Sequence, residues 1–375
     1  MDLAQSFASV MGQYHQQLPW LHSNTIFLSV HGSHAYGTNI ESSDWDLRGV
    51  CIPPKEYYLN PFMHFEQADK FTDVDCTIFG LNKFMQLAIN NNPNVLEILF
   101  TVPEEHLVKN KFGQILIDNR ELFLSKKARW TFSGYAIAQL KRIKTHKRYL
   151  DNPPSHQPTR AEFGLSDYSV IPVEQLEAAE SLIKSKLDSW NPDFSTIEDA
   201  DRILIEKKIS DVCVEIAGAS LYINKENLWK CAAISSGISP GFIQNMIQER
   251  AYRSRLAEWH NYQEWQINRN PARAELEAKY GFDSKHAMHL VRLLTMCKEI
   301  LLDGQMIVKR PDAKFLLEIR NGKLSYDELV TWAENMDKEM DNWYEKSPLP
   351  KNPDIKKIGN LTMQLTEEFL AQKSF

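Results

Sequence analysis

The sequence predicts an α/β N-terminal domain followed by a larger, mainly α-helical region, and three observations predict it. Short apolar or alternating runs, bounded by turn residues, cluster ahead of Leu81. From Phe123 onward apolar residues recur at helical spacing, with breaks at Asn152-Pro153-Pro154 and Pro271. The 375 residues are 43% hydrophobic and 25% charged, an ordinary globular composition with length for roughly two or three domains.

The elements follow in order. Leu3, Phe7, Val10, Met11 and Tyr14 recur at helical spacing, and Asp2 stands where a signal peptide would carry basic residues. Thr25 to Val30 reads as a buried strand, broken at His31-Gly32-Ser33, after which His34 to Thr38 begins a helix. Asn39 to Ser43 is turn-like; Asp44 to Ile52 alternates as a strand and stops at Pro53-Pro54. A third strand, Asp73 to Phe79, runs into a helix whose Leu81, Phe84, Met85, Ala88 and Ile89 form one apolar stripe. Asn90-Asn91-Asn92-Pro93 punctuates that helix, and short elements lead to Phe123. The expected boundary therefore separates residues 1–122 from a helical region, 123–375.

Composition narrows the function. A formal net charge of −6 argues against a surface coated all round for nucleic acid, while leaving a local basic patch open. The five cysteines, Cys51, Cys76, Cys213, Cys231 and Cys297, are odd in number and form no C-x-x-C pair. They read as reduced thiols of a cytoplasmic protein, without a zinc or redox motif. No apolar run approaches membrane-spanning length, so a soluble protein with no membrane partner is expected.

The chemistry concentrates in His31 to Thr38 and Ser42 to Gly49. Residues two apart in a strand point the same way, so Asp44, Asp46 and Arg48 share one face, while Trp45, Leu47 and Cys51 take the other. Two carboxylates side by side repel unless a cation lies between them, and carboxylate oxygens are ligands that Mg²⁺ prefers. Gly32 and Ser33 stand where a strand turns into a helix, a place where free N–H groups, a hydroxyl and the lack of a side chain admit a phosphate. A third carboxylate is expected from the neighbouring strand, where Asp73 and Asp75 share a face; Asp75 is favoured because it lies nearer the following helix. A D-x-D on an exposed strand is ordinarily just solvated, and a lone Gly-Ser is a turn. Their order, each after a strand and with a third acidic strand beyond, is what points to a site.

Gly32-Ser33, then about ten residues, then Asp44-Trp45-Asp46-Leu47 resembles the signature of the DNA polymerase β nucleotidyltransferases. Asp75 to Phe84, Asn92 to Glu97, Phe132 to Ala136, Gly281 to Leu293 and Ile319 to Gly322 resemble, more narrowly, the RNA-repair-associated polymerase β family of bacteria and phages. The resemblance implies a small mixed sheet with a helical second domain, and transfer of an NMP from an NTP such as ATP to an acceptor hydroxyl. It implies two Mg²⁺, or Mn²⁺ in their place, on Asp44, Asp46 and Asp75. Gly32 and Ser33 would hold the nucleotide phosphates, and Asp75 would help to activate the attacking hydroxyl. An RNA 3′ end, of a tRNA or a cleaved RNA, is the acceptor that fits the family. A protein or small-molecule acceptor is the alternative, as is a module that binds RNA or nucleotide without turnover.

Two basic features accompany this signature. Lys126 to Arg148 holds eight Lys or Arg and no Asp or Glu, with Lys141, Lys144 and Arg148 on one helical face. It reads either as a track for RNA phosphates, with Trp130 and Tyr135 as stacking partners, or as a solvated face. Lys285, His289 and Arg292 line one face of an otherwise apolar helix. Such a stripe is costly unless it meets an anion, a triphosphate or RNA phosphate, or internal acids such as Asp283 or Glu299. Arg48 reads either as a phosphate clamp or as the charge that neutralises the aspartates, and Arg320 is similarly open.

Overall fold

The computed structural model describes residues 17–71, 74–169, 171–190 and 225–373. The expected first helix, Leu3 to Tyr14, together with Asp73 and Cys213, lies outside the described residues. The chain forms two compact units, residues 1–151 with 270–375 and residues 152–269.

Five strands build one mixed sheet in the first unit: β1 (Thr25–His31), β2 (Trp45–Cys51), β3 (Gln67–Phe71), β4 (Val74–Gly80) and β5 (His106–Lys109), in the order β3-β4-β2-β1-β5. β2 and β4 run parallel and the other neighbours antiparallel. Every residue of β1 is buried, as its apolar, β-branched sequence requires of a strand with neighbours on both sides. The edge strands β3 and β5 are short and carry Gln67, Asp69 and Lys109, charged or polar residues of the kind that protect open edges. That polarity is why alternation in the sequence did not reveal them.

The register sorts the side chains onto two faces. Asp46, Arg48 and Val50 of β2 share a face with Asp75, Thr77 and Phe79 of β4 and with Phe27, Ser29 and His31 of β1. The opposite face packs Leu28, Val30, Leu47, Cys51, Cys76 and Ile78 into a small core closed by Trp20, Trp45 and Phe65. Trp45, Leu47 and Cys51 thus point away from the aspartates, as the alternation predicted.

The helices used below are α1 (Gly32–Tyr36), α2 (Leu81–Ala88), α3 (Lys111–Asp118) and α4 (Ala128–Asp151). The second unit holds α5 (Val173–Trp190), α6 (Lys225–Ser235) and α7 (Pro240–Asn268) around Leu176, Ile183, Ala232, Ala233, Ile243 and Met246. The first unit resumes with α8 (Pro271–Tyr280), α9 (Ser284–Asp303), α10 (Ala313–Arg320), α11 (Tyr326–Lys346) and α12 (Ile355–Lys373).

α9 is the spine of the helical part. Ala287, Leu290, Val291, Leu294, Cys297 and Ile300 are fully or almost fully buried, in one core with Phe132, Ala136, Leu140 and Ile143 of α4. Each large aliphatic or aromatic side chain so buried contributes about 1.5–3 kcal/mol. The Asp283 carboxylate caps α9 by accepting from the His286 N–H at 3.0 Å, and Gly304 ends the helix at φ 64°. Arg129 fastens α4 to α11 through Asp337 and Asp341.

Candidate active site

β1 delivers the chain to Gly32, whose φ of 64° is left-handed. A Cβ placed there would stand 2.0 Å from Asp46 Oδ2. Glycine is therefore required twice, by the backbone conformation and by the carboxylate pressed against the turn. The cross-strand register causes this closeness: His31 pairs with Asp46 on β2, and Asp46 pairs with Asp75 on β4. Asp44, exposed, lies one residue ahead of β2. The expected third carboxylate, Asp75, is thus the direct neighbour of Asp46, and the alternative Asp73 lies outside the described residues.

Burial is the main cause that raises the Asp46 carboxyl above its usual range; Arg48 opposes it, and the charges of Asp75 and Asp44 add to it. Arg48 grips Asp75 with a two-pronged contact, Nη1 to Oδ1 at 3.1 Å and Nη2 to Oδ2 at 2.9 Å. The same guanidinium comes within 4.0 Å of Asp46. Of the two roles open to Arg48 in the sequence, the structure displays the neutralising one.

Behind the turn lies a buried polar network. The Tyr36 hydroxyl donates to Glu97 Oε2 at 2.5 Å, and Arg292 Nη1 donates to Glu97 Oε1 at 2.5 Å. The Arg292 guanidinium also covers the Tyr36 ring at 3.8 Å. His31 Nε2 lies 3.4 Å from Glu97 Oε2. Burial pushes the His31 imidazole down to about 4 despite the Glu97 charge, and burial likewise holds the Tyr36 phenol protonated. Arg292, expected on the nucleotide, lines the cleft and donates to Glu97, a residue that sequence reading assigned to no site. Its place at the end of the Asn92 to Glu97 motif was the available signal, because a single acid in an apolar run gives no periodic one.

In front of the turn opens a cleft of about 970 Å³, and every residue that lines it belongs to the first unit. Gly32, Ser33, Asp44, Asp46 and Arg48 form one end. Lys285 and His289 of α9 line it, as expected, and Arg292 reaches it from behind. Burial first, and the neighbouring Arg292 and Lys285 next, keep the His289 imidazole neutral. Lys141, Lys144 and Arg148 do not line the cleft: the face that α4 turns toward it carries Thr131, Tyr135, Ala138 and Arg142. Lys144 is occupied with Glu334 at 3.0 Å. Sequence reading missed Arg142 and Arg273, and left Arg320 unassigned. The i, i+4, i+7, i+11 spacing of Thr131, Tyr135, Ala138 and Arg142 was the available signal for the first of these.

One further cluster lies near these cations, where His146, Glu277 and Asp283 bring ligand atoms within 4.8 Å of one another. His146 Nδ1 is 3.2 Å from Glu277, while Asp283 caps α9 and receives Arg273 at 3.4 Å. Arg273 also binds His286 Nε2 at 2.5 Å. The cluster is held together by these internal partners.

Comparison with known proteins agrees with the motif. Residues 4–151 match the RNA repair pathway DNA polymerase beta family. The chain is also 28% identical over 127 residues to an uncharacterized 38.9 kDa protein in the nrdC-mobD intergenic region of Enterobacteria phage T4. That alignment takes in 31% of this chain and 37% of the phage protein, so the chain spans little more than a third of its relative. The resemblance read from the sequence is borne out over residues 4–151, which carry the Gly-Ser turn and all three aspartates. The motifs quoted from Gly281 to Gly322 lie beyond that match.

Proposed function

We propose that the chain, whose residues 4–151 match a polymerase β-type nucleotidyltransferase family, transfers an NMP from an NTP to an RNA 3′-hydroxyl with release of pyrophosphate. One observation carries the reading. Asp46 and Asp75 stand in register on adjacent parallel strands, and the Asp46 carboxylate occupies the space beside Gly32. An all-oxygen set of Asp44, Asp46 and Asp75, beside the Gly32 turn, suits two Mg²⁺ or Mn²⁺. When bound, such ions would polarise the α-phosphate and lower the charge that builds on the attacking and leaving oxygens.

The chain's own residues would do the rest. Gly32 and the Ser33 hydroxyl would bind the nucleotide phosphates, and Lys285 and His289 would approach them from α9. Asp75 would accept the proton of the attacking hydroxyl, its orientation set by Arg48. Arg292 would act through Glu97 and Tyr36, fixing α1 so that the turn keeps its shape. The helices after residue 122 would close the cleft, and Lys141, Lys144 and Arg148 would carry the RNA on along the next face of α4. No described helix is long and apolar enough to cross a membrane. Cys51, Cys76 and Cys297 are free and buried, which supports a reducing, cytoplasmic setting.

The test is incubation with each labelled NTP and Mg²⁺, offering total RNA and a protein extract separately and measuring pyrophosphate. Label on RNA with the wild type, lost with Asp46→Asn, is the expected result. Label on protein instead would replace the acceptor, and no pyrophosphate with any NTP would overturn transfer altogether.

A further inference from the structure

We propose that Arg142, Arg273 and Arg320, together with a Lys285 shared with the nucleotide phosphates, form a second phosphate site in the cleft, which holds a backbone phosphate of a single-stranded RNA acceptor. The inference rests on the transfer reading for the roles of the two ends of the cleft, but its RNA contact can be tested alone.

The four cations come from α4, α8, α9 and α10, and all line the one cleft. Among the described residues Arg142, Lys285 and Arg320 make no ion pair, and Arg273 alone reaches an acid, Asp283 at 3.4 Å. The wall therefore carries positive charge that the protein does not balance. Burial depresses the Lys285 ammonium, and the adjacent Arg273 and Arg320 depress it further, against the pull of Asp44 and Asp283. Arg320 is depressed by its burial and by Arg273, with Asp283 opposing. The imidazoles facing this group add nothing positive near neutral pH: burial brings His286 down to about 4, against Asp283 and with Arg273, His146 and Arg142. Cations crowded in this way raise the free energy of the empty cleft, and an anion with several acceptor oxygens relieves it.

Two observations favour the acceptor over the NTP as the owner of that anion. Arg48 grips Asp75 and comes within 4.0 Å of Asp46, so the carboxylate end has its own cation. Arg142 sits on α4, whose Trp130 at 62% and Tyr135 at 39% exposure line the same cleft. Cations interleaved with exposed aromatics are what a single strand needs, phosphate by phosphate and base by base. The volume of about 970 Å³ stands at the upper end of small-molecule sites, roughly 300–1,000 Å³. It has room for a nucleotide and the end of a second substrate.

The experiment measures binding of the full chain to a labelled single-stranded RNA of about ten nucleotides, within the span of single-strand sites, across a salt series and without NTP. A fluorescent ATP analogue with Mg²⁺ is titrated in parallel. Arg142→Gln/Arg320→Gln should lower RNA affinity at least about tenfold, and flatten log affinity against log salt by about 0.7 for each phosphate that loses its cation. Affinity for the ATP analogue should change less than about twofold, since one tenfold step is only about 1.4 kcal/mol and none is expected there. Lys338→Gln/Lys356→Gln removes two exposed charges elsewhere and should leave RNA binding unaltered. Arg142→Gln alone, at an exposed and unpaired side chain, keeps the test decisive if the double variant folds poorly. Unchanged RNA affinity and slope would overturn the site, as would a loss confined to the ATP analogue, which would give these cations to the triphosphate. RNA binding that depends on Arg142 in a protein releasing no pyrophosphate would sink the transfer reading and leave this site standing.

Discussion

The carboxylate end of the cleft and its cationic wall differ in sign and also in how the chain builds them. Asp46, Arg48 and Asp75 come from two neighbouring strands, placed by β-sheet register, and Asp44 lies one residue ahead of β2. Arg142, Arg273, Lys285 and Arg320 come from four helices, placed by tertiary packing around α9. The acidic end carries its own counter-charge, because Arg48 grips Asp75. Among the described residues the wall's four cations form one ion pair, that of Arg273 with Asp283. A site made by register can be exact at low cost, whereas a site made by packing is only as good as the core beneath it.

The largest effect should come from the acidic end. Asp46→Asn removes a proposed metal ligand and with it several kcal/mol of transition-state stabilisation, so transfer should fall by about a thousandfold or more. Stability should hold or rise, because burial and two like charges already disfavour the Asp46 carboxylate. Pyrophosphate release together with a urea melt checks both halves, and near-normal turnover would remove the central claim.

Next comes the network that joins the two regions. Glu97→Gln or Arg292→Met leaves a buried partner uncompensated, at an expected cost of about 3–5 kcal/mol. The double variant should lose less than either single change, since no charge is then left alone. Additive losses in denaturant melts would mean that the two side chains stabilise the fold independently.

Acid should act on both regions through buried imidazoles. His31 and His286 are held at about 4 in the folded chain, against about 6.5 when unfolded. Between those values the unfolded chain binds more protons, so stability is complete above about pH 6.5 and declines as pH falls toward 4, by up to about 3 kcal/mol for each group. Urea melts at several pH values, compared with His31→Gln and His286→Gln, isolate the histidines from the carboxylates. Equal pH slopes in all three proteins would show that these imidazoles are already charged in the fold.

Gly32→Ala tests whether the turn and the carboxylate are one unit. A left-handed φ costs a non-glycine residue about 1–2 kcal/mol, and the new methyl would also meet Asp46 Oδ2. The combination Gly32→Ala with Asp46→Gly should recover part of the lost stability without recovering transfer. No recovery would place the strain in the backbone alone.

The same contrast explains what could be read in advance. Period-two alternation placed Asp46 and Arg48 on one face, with Trp45, Leu47 and Cys51 on the other, and that held because a strand's side-chain geometry is local. The spacing of Lys285, His289 and Arg292 on α9 was equally legible. Their partners were not: nothing near Arg292 in the chain announces Glu97, 195 residues away. The basic run of α4 was visible as composition, but which face met the cleft depended on how Phe132, Ala136 and Leu140 pack against α9. Edge strands β3 and β5 escaped because their exposed sides are polar.

The smallest effect should separate the cleft from the rest of α4. Lys141, Lys144 and Arg148 lie beside the cleft-facing side of that helix, and Lys144 must first leave Glu334, an exposed pair that contributes at most about 1 kcal/mol. Replacing all three with Gln should hardly alter stability. It should also spare binding of an RNA of about ten nucleotides, which the Arg142 wall can satisfy alone. On a longer RNA that continues past the cleft, the same triple variant should lose about 0.7 from the salt slope for each phosphate no longer met. Equal losses on short and long RNA would mean that the strand enters along Lys141, Lys144 and Arg148 and not past Trp130 and Tyr135. The direction of the acceptor across the cleft would then be reversed, with the proposed metal ligands still at its end.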